Sequence, residues 1–172
     1  MGIEFQSGTM QLKPFASFVK RLISHNGIAN NDLTKRIPSR FRKELPFLDA
    51  FLPDFGMKDT SMTRKLRGSG RTHRSMLFLC ELIRHVCESR AIVMFFEDLQ
   101  WYDSKSLELT HMVLTRLGGA VAMITTRPVE NPGRAYLRVY GYGALTSFKL
   151  LPLNRRETMT VVLNVLSSEY RG

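Results

Sequence analysis

An unbroken apolar run, AIVMFF at residues 91–96, shows no alternation with polar positions. A strand that is buried on both faces has this pattern, and such strands are typical of parallel sheets. A segment of helical periodicity follows and stops at two glycines, after which a second apolar run, AVAMIT, occupies residues 120–125. The order strand, helix, strand predicts a βαβ unit with parallel strands and a right-handed crossover.

Helical spacing of apolar residues predicts two helices ahead of this unit. The first covers residues 13–26, and the second, residues 73–89, is apolar around most of its circumference, which predicts a helix buried against the sheet. Residues 27–57 are broken by prolines and are predicted to form short helical pieces whose apolar side chains make a satellite cluster. Residues 58–72 are polar, basic and glycine-bearing, which predicts a mobile loop.

Beyond the second apolar run, residues 126–136 are predicted as a loop and LTSFKLLPL, residues 145–153, as a strand. Asn154 and Glu157 have the spacing of a capping box, which predicts that a helix opens there. Asp103 is predicted to cap the helix between the two strands, because an aspartate at this position can accept from free backbone N–H groups.

The composition, 172 residues with 44% hydrophobic and 23% charged positions, is that of one soluble globular domain. No apolar run approaches the roughly 18 residues that a spanning helix needs, and the N-terminus has no signal-peptide pattern. We therefore expect a cytoplasmic protein that does not enter a membrane. Cys80 and Cys87 lie seven residues apart in a helical pattern and are predicted to be reduced core residues.

Positive charge is concentrated in the first part of the chain. Residues 1–75 carry 14 Lys and Arg against 6 acidic residues, whereas residues 76–172 carry 11 against 9. Such a field favours polyanions of any kind. One functional hypothesis is therefore a basic module that binds nucleic acid or another polyanion through residues 13–75. Three phenylalanines, Phe15, Phe18 and Phe41, are interleaved with the basic positions, a pattern that could track phosphates.

Two adjacent acids, Glu97 and Asp98, end the first apolar run, and Thr125, Thr126 and Arg127 end the second. Ligands of parallel sheets bind beyond the carboxyl ends of the strands, so these side chains are expected to face one crevice. Adjacent carboxylates beside a buried strand repel one another, and a Mg²⁺ ion that bridges phosphate oxygens would relieve that repulsion. One acid would then hold the metal while the other orients or deprotonates a water.

The segment FFEDLQWYDSKSLELTHMVL, residues 95–114, resembles the Walker B segment of AAA-like, STAND-type P-loop ATPase domains, which accompany soluble-type class III adenylate cyclases and related signalling regulators. AVAMITTRPVENP is similar to the sensor strand of that family, and FKLLPLNRRETMTVVLNVL is similar to the step into its helical lid. Trp101 belongs to the Walker B resemblance, although a tryptophan there is more often a packing residue than a stacking platform.

The resemblance implies an α/β fold, a partial three-layer P-loop NTPase-like parallel sheet with the start of a helical lid at the C-terminus. Residues 1–153 would form the partial ATPase core, with a basic helical insertion at 26–75, and residues 154–172 would begin the lid. It also implies a regulatory switch that binds ATP or ADP with Mg²⁺, attached to an output or cyclase domain of a longer chain and able to form homo-oligomers.

The resemblance further implies site roles. Glu97 and Asp98 would be the catalytic and metal-binding acids, and Thr126 and Arg127 would bind the nucleotide.

One motif of that family is missing, because the Walker A pattern G-x-x-x-x-G-K-[ST] does not occur. GSGRT, residues 68–72, imitates it only in part: Lys65 stands where the pattern needs a glycine, and Arg71 stands where it needs a lysine. In the family this loop lies ahead of the segment with which the present sequence begins. The expectation is an internal piece of a larger ATPase or a degenerate paralogue, with no ATP hydrolysis by this segment alone.

Overall fold

The computed structural model describes residues 12–25, 39–53, 56–88, 91–118 and 120–169, and the chain divides into two compact units, Met1–Tyr142 and Gly143–Gly172. The described ranges are mixed α/β, mostly helical, with a small two-stranded parallel sheet. The α/β class predicted from the sequence is confirmed at this level. The boundary between residues 153 and 154 stays a prediction.

Helices make up most of the described chain. The first unit contains α1 (Lys13–His25), α2 (Ser39–Arg42), α3 (Gly68–Cys87), α4 (Ser104–Arg116) and α5 (Arg134–Tyr140), and the second contains α6 (Arg155–Glu169). Short 3₁₀ helices cover Leu45–Ala50, Thr63–Lys65 and Leu99–Trp101. The strands are β1 (Ile92–Phe96) and β2 (Ala120–Ile124). No helix in the ranges described has the length and apolarity to cross a membrane.

The predicted order of strand, helix and strand and the parallel pairing of the two strands are confirmed, while the right-handed crossover stays a prediction. Strands β1 and β2 pair in parallel, from Ile92 opposite Ala120 to Phe96 opposite Ile124, and α4 connects them. Helix α4 begins where the sequence predicted, because the Asp103 carboxylate accepts hydrogen bonds from the backbone N–H groups of Lys105 and Ser106.

One face of this sheet carries the main core. Met94 and Phe96 point into it, and the ring of Phe96 lies 5.9 Å from that of Phe15 on α1. The segment around Leu45–Ala50 belongs to the same core, since Phe47 is fully buried and its ring packs 6.4 Å from that of Phe78 on α3. The prediction of a separate satellite cluster is therefore wrong for this segment.

The opposite face of the sheet is exposed to solvent. The side chains of Val93, Phe95, Val121 and Met123 are 55, 64, 59 and 54% exposed. The prediction that the strand is buried on both faces is therefore wrong within the described ranges. A lack of alternation makes a strand suitable for two-sided burial, but burial also requires an element to cover each face.

Three further predictions are corrected. Residues 68–72, predicted as part of a mobile loop, form the first turn of α3, whose buried side chains share the main core with those of β1, α4 and Leu45–Ala50. Residues 145–153, predicted as a strand, contain no strand and are almost entirely exposed. Residues 126–136, predicted as a loop, run into helix α5 at Arg134. Residues 27–38, predicted as short helical pieces, lie outside the described ranges.

Candidate functional site

The two loops that leave the sheet begin side by side. The parallel hydrogen-bond ladder continues past the strand ends, because the N–H of Thr125 donates to the carbonyl of Phe96 at 2.9 Å and the N–H of Leu99 donates to the carbonyl of Thr125 at 3.0 Å. The segment that carries Glu97 and Asp98 therefore lies against the segment that carries Thr125, Thr126 and Arg127. This edge corresponds to the carboxyl ends of both strands, where parallel sheets bind ligands.

Asp98 adopts a left-handed backbone conformation, with φ 52° and ψ 48°. Aspartate tolerates this region better than most residues, because its short polar side chain can bond locally. Its N–H donates to the Thr125 hydroxyl at 3.1 Å, and its Oδ1 accepts from the Gln100 Nε2 at 3.0 Å. The backbone and one carboxylate oxygen of Asp98 are thus both held in place.

Gln100 joins the two loops through its side-chain amide. Its Oε1 accepts from the backbone N–H of Arg127 at 2.9 Å and from the Thr126 hydroxyl at 3.1 Å, while its Nε2 donates to Asp98. The Thr126 hydroxyl also lies 2.9 Å from the Tyr136 hydroxyl of α5. A hydrogen-bonded chain therefore runs from α5 through Thr126 and Gln100 to the Asp98 carboxylate.

Glu97 does not join this network in the hydrogen bonds described. Burial is the main reason that the pKa of the Tyr102 phenol is raised, and the negative charge of the Glu97 carboxylate raises it further. Both Glu97 and Asp98 are exposed, so water screens their mutual repulsion. The argument that buried acids require a bound cation therefore does not hold for this pair.

Trp101, the single tryptophan of the chain, projects from the same turn and is 73% exposed. The prediction that it packs is wrong, because the 3₁₀ turn Leu99–Trp101 directs Leu99 inward, where it is 1% exposed, and Trp101 outward.

The possible metal ligands at this edge are two exposed carboxylates, Glu97 and Asp98. Across the described ranges no group of three or more His, Cys, Asp or Glu side chains is arranged to hold a metal. Mg²⁺ commonly uses one or two carboxylates and takes its remaining ligands from water and phosphate, so Glu97 and Asp98 are the exposed side chains at this edge that could hold such an ion. A nearby cavity of about 30 Å³, lined by residues that include Phe15, Met94 and Tyr102, has room for a water but not for a nucleotide.

Arg71 of the GSGRT segment has a structural role. Its guanidinium forms an ion pair with Asp59 at 2.8 Å and donates to the carbonyls of Thr63 at 3.0 Å and Pro46 at 3.3 Å. These contacts occupy the group that would have to reach a phosphate if this segment imitated a Walker A loop.

The cysteines are structural too. Both are free, Cys80 is buried as predicted, and burial raises the pKa of its thiol to about 12. Cys87 is only half-buried, and burial raises the pKa of its thiol as well.

Sequence reasoning missed Gln100 and Tyr136 as members of the site. Gln100 lies within the segment that resembles a Walker B motif, but the sequence interpretation gave it no role in the site. Tyr136 gave no signal, because its contact with Thr126 depends on the packing of α5.

Comparisons with protein-family models, with curated proteins and with solved structures give no match for this chain.

Proposed function

We propose that this chain is a nucleotide-responsive switch domain whose ligand is a magnesium complex of ATP or ADP, bound at the carboxyl edge of β1 and β2. The proposal includes a partial three-layer P-loop NTPase-like core, a lid that starts at α6, and an output or cyclase domain as functional partner in the cytoplasm, with homo-oligomers possible. The resemblance of residues 95–114 to a Walker B segment motivates this assignment.

The observation that carries the proposal is the Gln100 bridge. Its amide connects the Asp98 carboxylate to the backbone of Arg127 across two loops that are far apart in sequence. A metal–phosphate ligand needs an acid and a cation near one point, and the bridge supports this by holding the Asp98 carboxylate beside the backbone of the loop that carries Arg127. The αL conformation of Asp98 is a second support, because unusual backbone conformations cluster at ligand-binding sites.

The roles follow from the chemistry of each group. Asp98 and Glu97 would hold the hydrated cation, and whichever acid does not bind it directly would orient a water. Arg127 would supply a guanidinium, a planar donor well suited to phosphate oxygens, and Thr126 would bind the nucleotide by turning its single O–H from Gln100 to a phosphate oxygen. Mg²⁺, when bound, would neutralise charge on the phosphates.

The exposed Trp101 provides a direct test. We expect Mg²⁺ together with ATP to change the Trp101 fluorescence of the full chain, and Asp98→Asn to weaken the apparent affinity about tenfold or more. Asparagine is the sharper substitution than alanine, because it keeps the side-chain shape and tolerates the αL backbone. Arg127→Gln should weaken ATP binding while leaving the binding of Mn²⁺ alone unchanged.

Glu130→Gln is the matched control. It removes one negative charge from the loop that follows β2, at an exposed residue that makes no described hydrogen bond. Equal effects of Glu130→Gln and Asp98→Asn would mean that only net charge matters. No fluorescence response of the wild-type chain to Mg²⁺ and ATP at millimolar concentration would contradict the proposal.

A second candidate function, polyanion binding, is favoured by the way the acids are paired. Asp59 forms an ion pair with Arg71, and Glu44 forms one with Arg74. Because these two acids are already paired, five other basic residues of the same segment have no acidic partner among the ion pairs described. These exposed residues are Lys43, Lys58, Arg64, Lys65 and Arg67. The aromatic part of this hypothesis is wrong for Phe15 and Phe41, which are 3 and 5% exposed and cannot reach a bound polyanion, whereas Phe18 is half-buried.

This candidate predicts retention of a short DNA duplex that weakens with salt and survives Asp98→Asn. Neutralising Lys58, Arg64 and Arg67 with glutamine should reduce the slope of log affinity against log salt by about 3, roughly one unit for each phosphate that the variant no longer neutralises. The control neutralises three exposed basic residues of the second unit, Lys149, Arg155 and Arg156. Equal losses in both triple variants would contradict a localised surface.

A further inference from the structure

We infer that His85 is a proton-operated switch between two partners. The neutral ring ties α2 to α3 by accepting a hydrogen bond from Arg40, and the protonated ring releases Arg40 and donates to Glu88 instead. None of these three residues belongs to the proposed nucleotide site, so the switch is independent of the proposed function.

One ring nitrogen contacts both partners. The Nδ1 atom of His85 lies 3.3 Å from Nη2 of Arg40 and 3.0 Å from Oε2 of Glu88. A guanidinium nitrogen can only donate a hydrogen bond, and an ionised carboxylate can only accept one. Nδ1 carries either a lone pair or a hydrogen, so it can bond to one of these partners at a time. The protonation state of this nitrogen therefore selects the partner.

Protonation of the ring changes both contacts together. An imidazolium carries a hydrogen on each nitrogen, so Nδ1 can then donate to Glu88 and can no longer accept from Arg40. Its positive charge also repels the guanidinium and attracts the carboxylate. The His85 side chain is 34% exposed, so its ring can exchange protons with solvent. Histidine is the side chain whose charge ordinarily changes between pH 5 and 8, which makes mild acidification the stimulus for such an arrangement.

The charged groups around His85 favour this exchange. Arg84 of α3 lies 3.7 Å from Oε1 of Glu88, so the carboxylate keeps a cationic neighbour when the ring is neutral. Hydrogen bonding to His85, together with the charges of His85, Arg40 and Arg84, holds the pKa of the Glu88 carboxyl below its ordinary value, so Glu88 stays ionised in mild acid. The other charged or titratable residues of α2 and of the last two turns of α3 are Arg42, Cys87 and Glu81, the last of which is paired with Arg74.

Phe41 fixes the setting in which the switch works. It is 5% exposed, and its ring lies 5.7 Å from the His85 ring and 4.8 Å from the guanidinium carbon of Arg40. Because Phe41 is anchored in the core, α2 stays beside α3 when Arg40 is released. Protonation therefore replaces a bond between residues 45 positions apart with one between residues three positions apart, and it loosens the contact of the two helices without separating them.

Double-mutant cycles at two pH values test the inference. Urea denaturation of the full chain is measured at about pH 8.5, where a histidine is neutral, and at about pH 5, where it is charged. Arg40→Met and Glu88→Gln each remove one partner, and His85→Leu removes the switch. We expect the coupling of Arg40 with His85 to favour folding about threefold at the higher pH and to vanish or reverse at the lower pH. The coupling of His85 with Glu88 should increase about threefold as the pH falls.

Arg84→Met is the matched control, because it removes the same charge from the same region but no described hydrogen bond joins Arg84 to Nδ1 of His85. The coupling of Arg40 with His85 should change more between the two pH values than that of Arg84 with His85. Equal changes would overturn the inference, because they would show only a general repulsion between positive charges. A coupling of Arg40 with His85 that is the same at both pH values would overturn it as well.

A measurement on the wild-type chain covers the case in which a variant does not fold. Long-range ¹H–¹⁵N spectra of the histidine rings report which ring nitrogen carries a hydrogen. We expect Nδ1 of His85 to carry no hydrogen in the neutral ring and to gain one on acidification. A hydrogen on Nδ1 of the neutral ring would overturn the inference, because Nδ1 would then already donate to Glu88 before the ring is charged.

Discussion

The hydroxyl oxygen of Tyr136 lies 2.9 Å from the hydroxyl oxygen of Thr126, which ties helix α5 to the loop that follows β2. Tyr136 is 8% exposed and belongs to a small buried cluster with Leu99, Leu107 and Val139. Its hydroxyl therefore couples the packing of α5 to the same polar network that holds Asp98.

Loss of this hydroxyl should destabilise the first unit. For Tyr136→Phe we expect a decrease in the free energy of unfolding of about 1 kcal/mol, because one partly buried hydrogen bond is removed while the ring remains. Urea denaturation measures the change. Tyr140→Phe is the control, since this ring stacks on Tyr136 but is 62% exposed. A larger loss for Tyr140→Phe would contradict the assignment.

Arg71 should be a strong determinant of stability despite its place in a basic, glycine-bearing segment. Its guanidinium donates to two backbone carbonyls and lies 5.7 Å from the centre of the Phe47 ring. We expect Arg71→Met to lower the free energy of unfolding by about 2 kcal/mol, because hydrogen bonds made by a charged group are removed. Arg64→Met, which removes an exposed side chain with one 3.4 Å hydrogen bond, should change it by about 0.5 kcal/mol or less.

The partner of Arg71 makes part of the stability dependent on pH. Hydrogen bonds from Arg71 and from Thr63 hold the pKa of Asp59 below its ordinary value. A carboxyl whose pKa is lowered in the folded state contributes stability that is fully present above the unfolded-state pKa, about 4, and is lost as the pH falls through the lowered folded-state value.

We therefore expect Asp59→Asn to be less stable than the wild type at neutral pH, with the difference disappearing in strongly acidic solution. Urea midpoints of the two proteins across pH measure it. Asp49 contributes in the opposite sense, because burial, with a smaller effect of the Asp59 charge, raises the pKa of its carboxyl and its stabilising effect is lost as the pH rises. A difference that does not change with pH would contradict the ion pair.

The capping box of α6 should control the order of its first turn. The N–H of Asn154 donates to Oε2 of Glu157 at 2.8 Å, and the N–H of Glu157 donates to Oδ1 of Asn154 at 3.0 Å. We expect Asn154→Ala to cost about 1 kcal/mol of local stability and to speed amide exchange at Glu157 and Thr158 about fivefold. Glu157→Gln keeps an acceptor and should change exchange little; equal acceleration by both variants would contradict the box.

Neighbouring phenylalanines of β1 should respond in opposite ways. Phe96 is 6% exposed and Phe95 is 64% exposed. We expect Phe96→Ala to cost about 3 to 5 kcal/mol, because it leaves a cavity in the core, and Phe95→Thr to cost about 0.5 kcal/mol or less. Urea denaturation distinguishes them. Similar large losses at both positions would mean that an element covers the second face of the sheet.

Local signals in the sequence determined the elements of the βαβ unit and the start of α6. The run AIVMFF, the cap at Asp103 and the pair Asn154 and Glu157 each act within one strand or one helical turn, so their outcome depends little on the rest of the chain. The βαβ order and the parallel pairing followed from these elements, because short connections leave few alternatives.

Tertiary packing decided which surfaces these elements bury and which side chains meet. An apolar strand can be buried on one face or on both faces. In this protein α1, α3 and α4 bury only the face that carries Met94 and Phe96. The contact of Gln100 with Arg127, and that of Arg71 with Pro46, join residues more than 20 positions apart. No periodicity encodes such contacts, because they depend on how close two loops lie after the elements have packed.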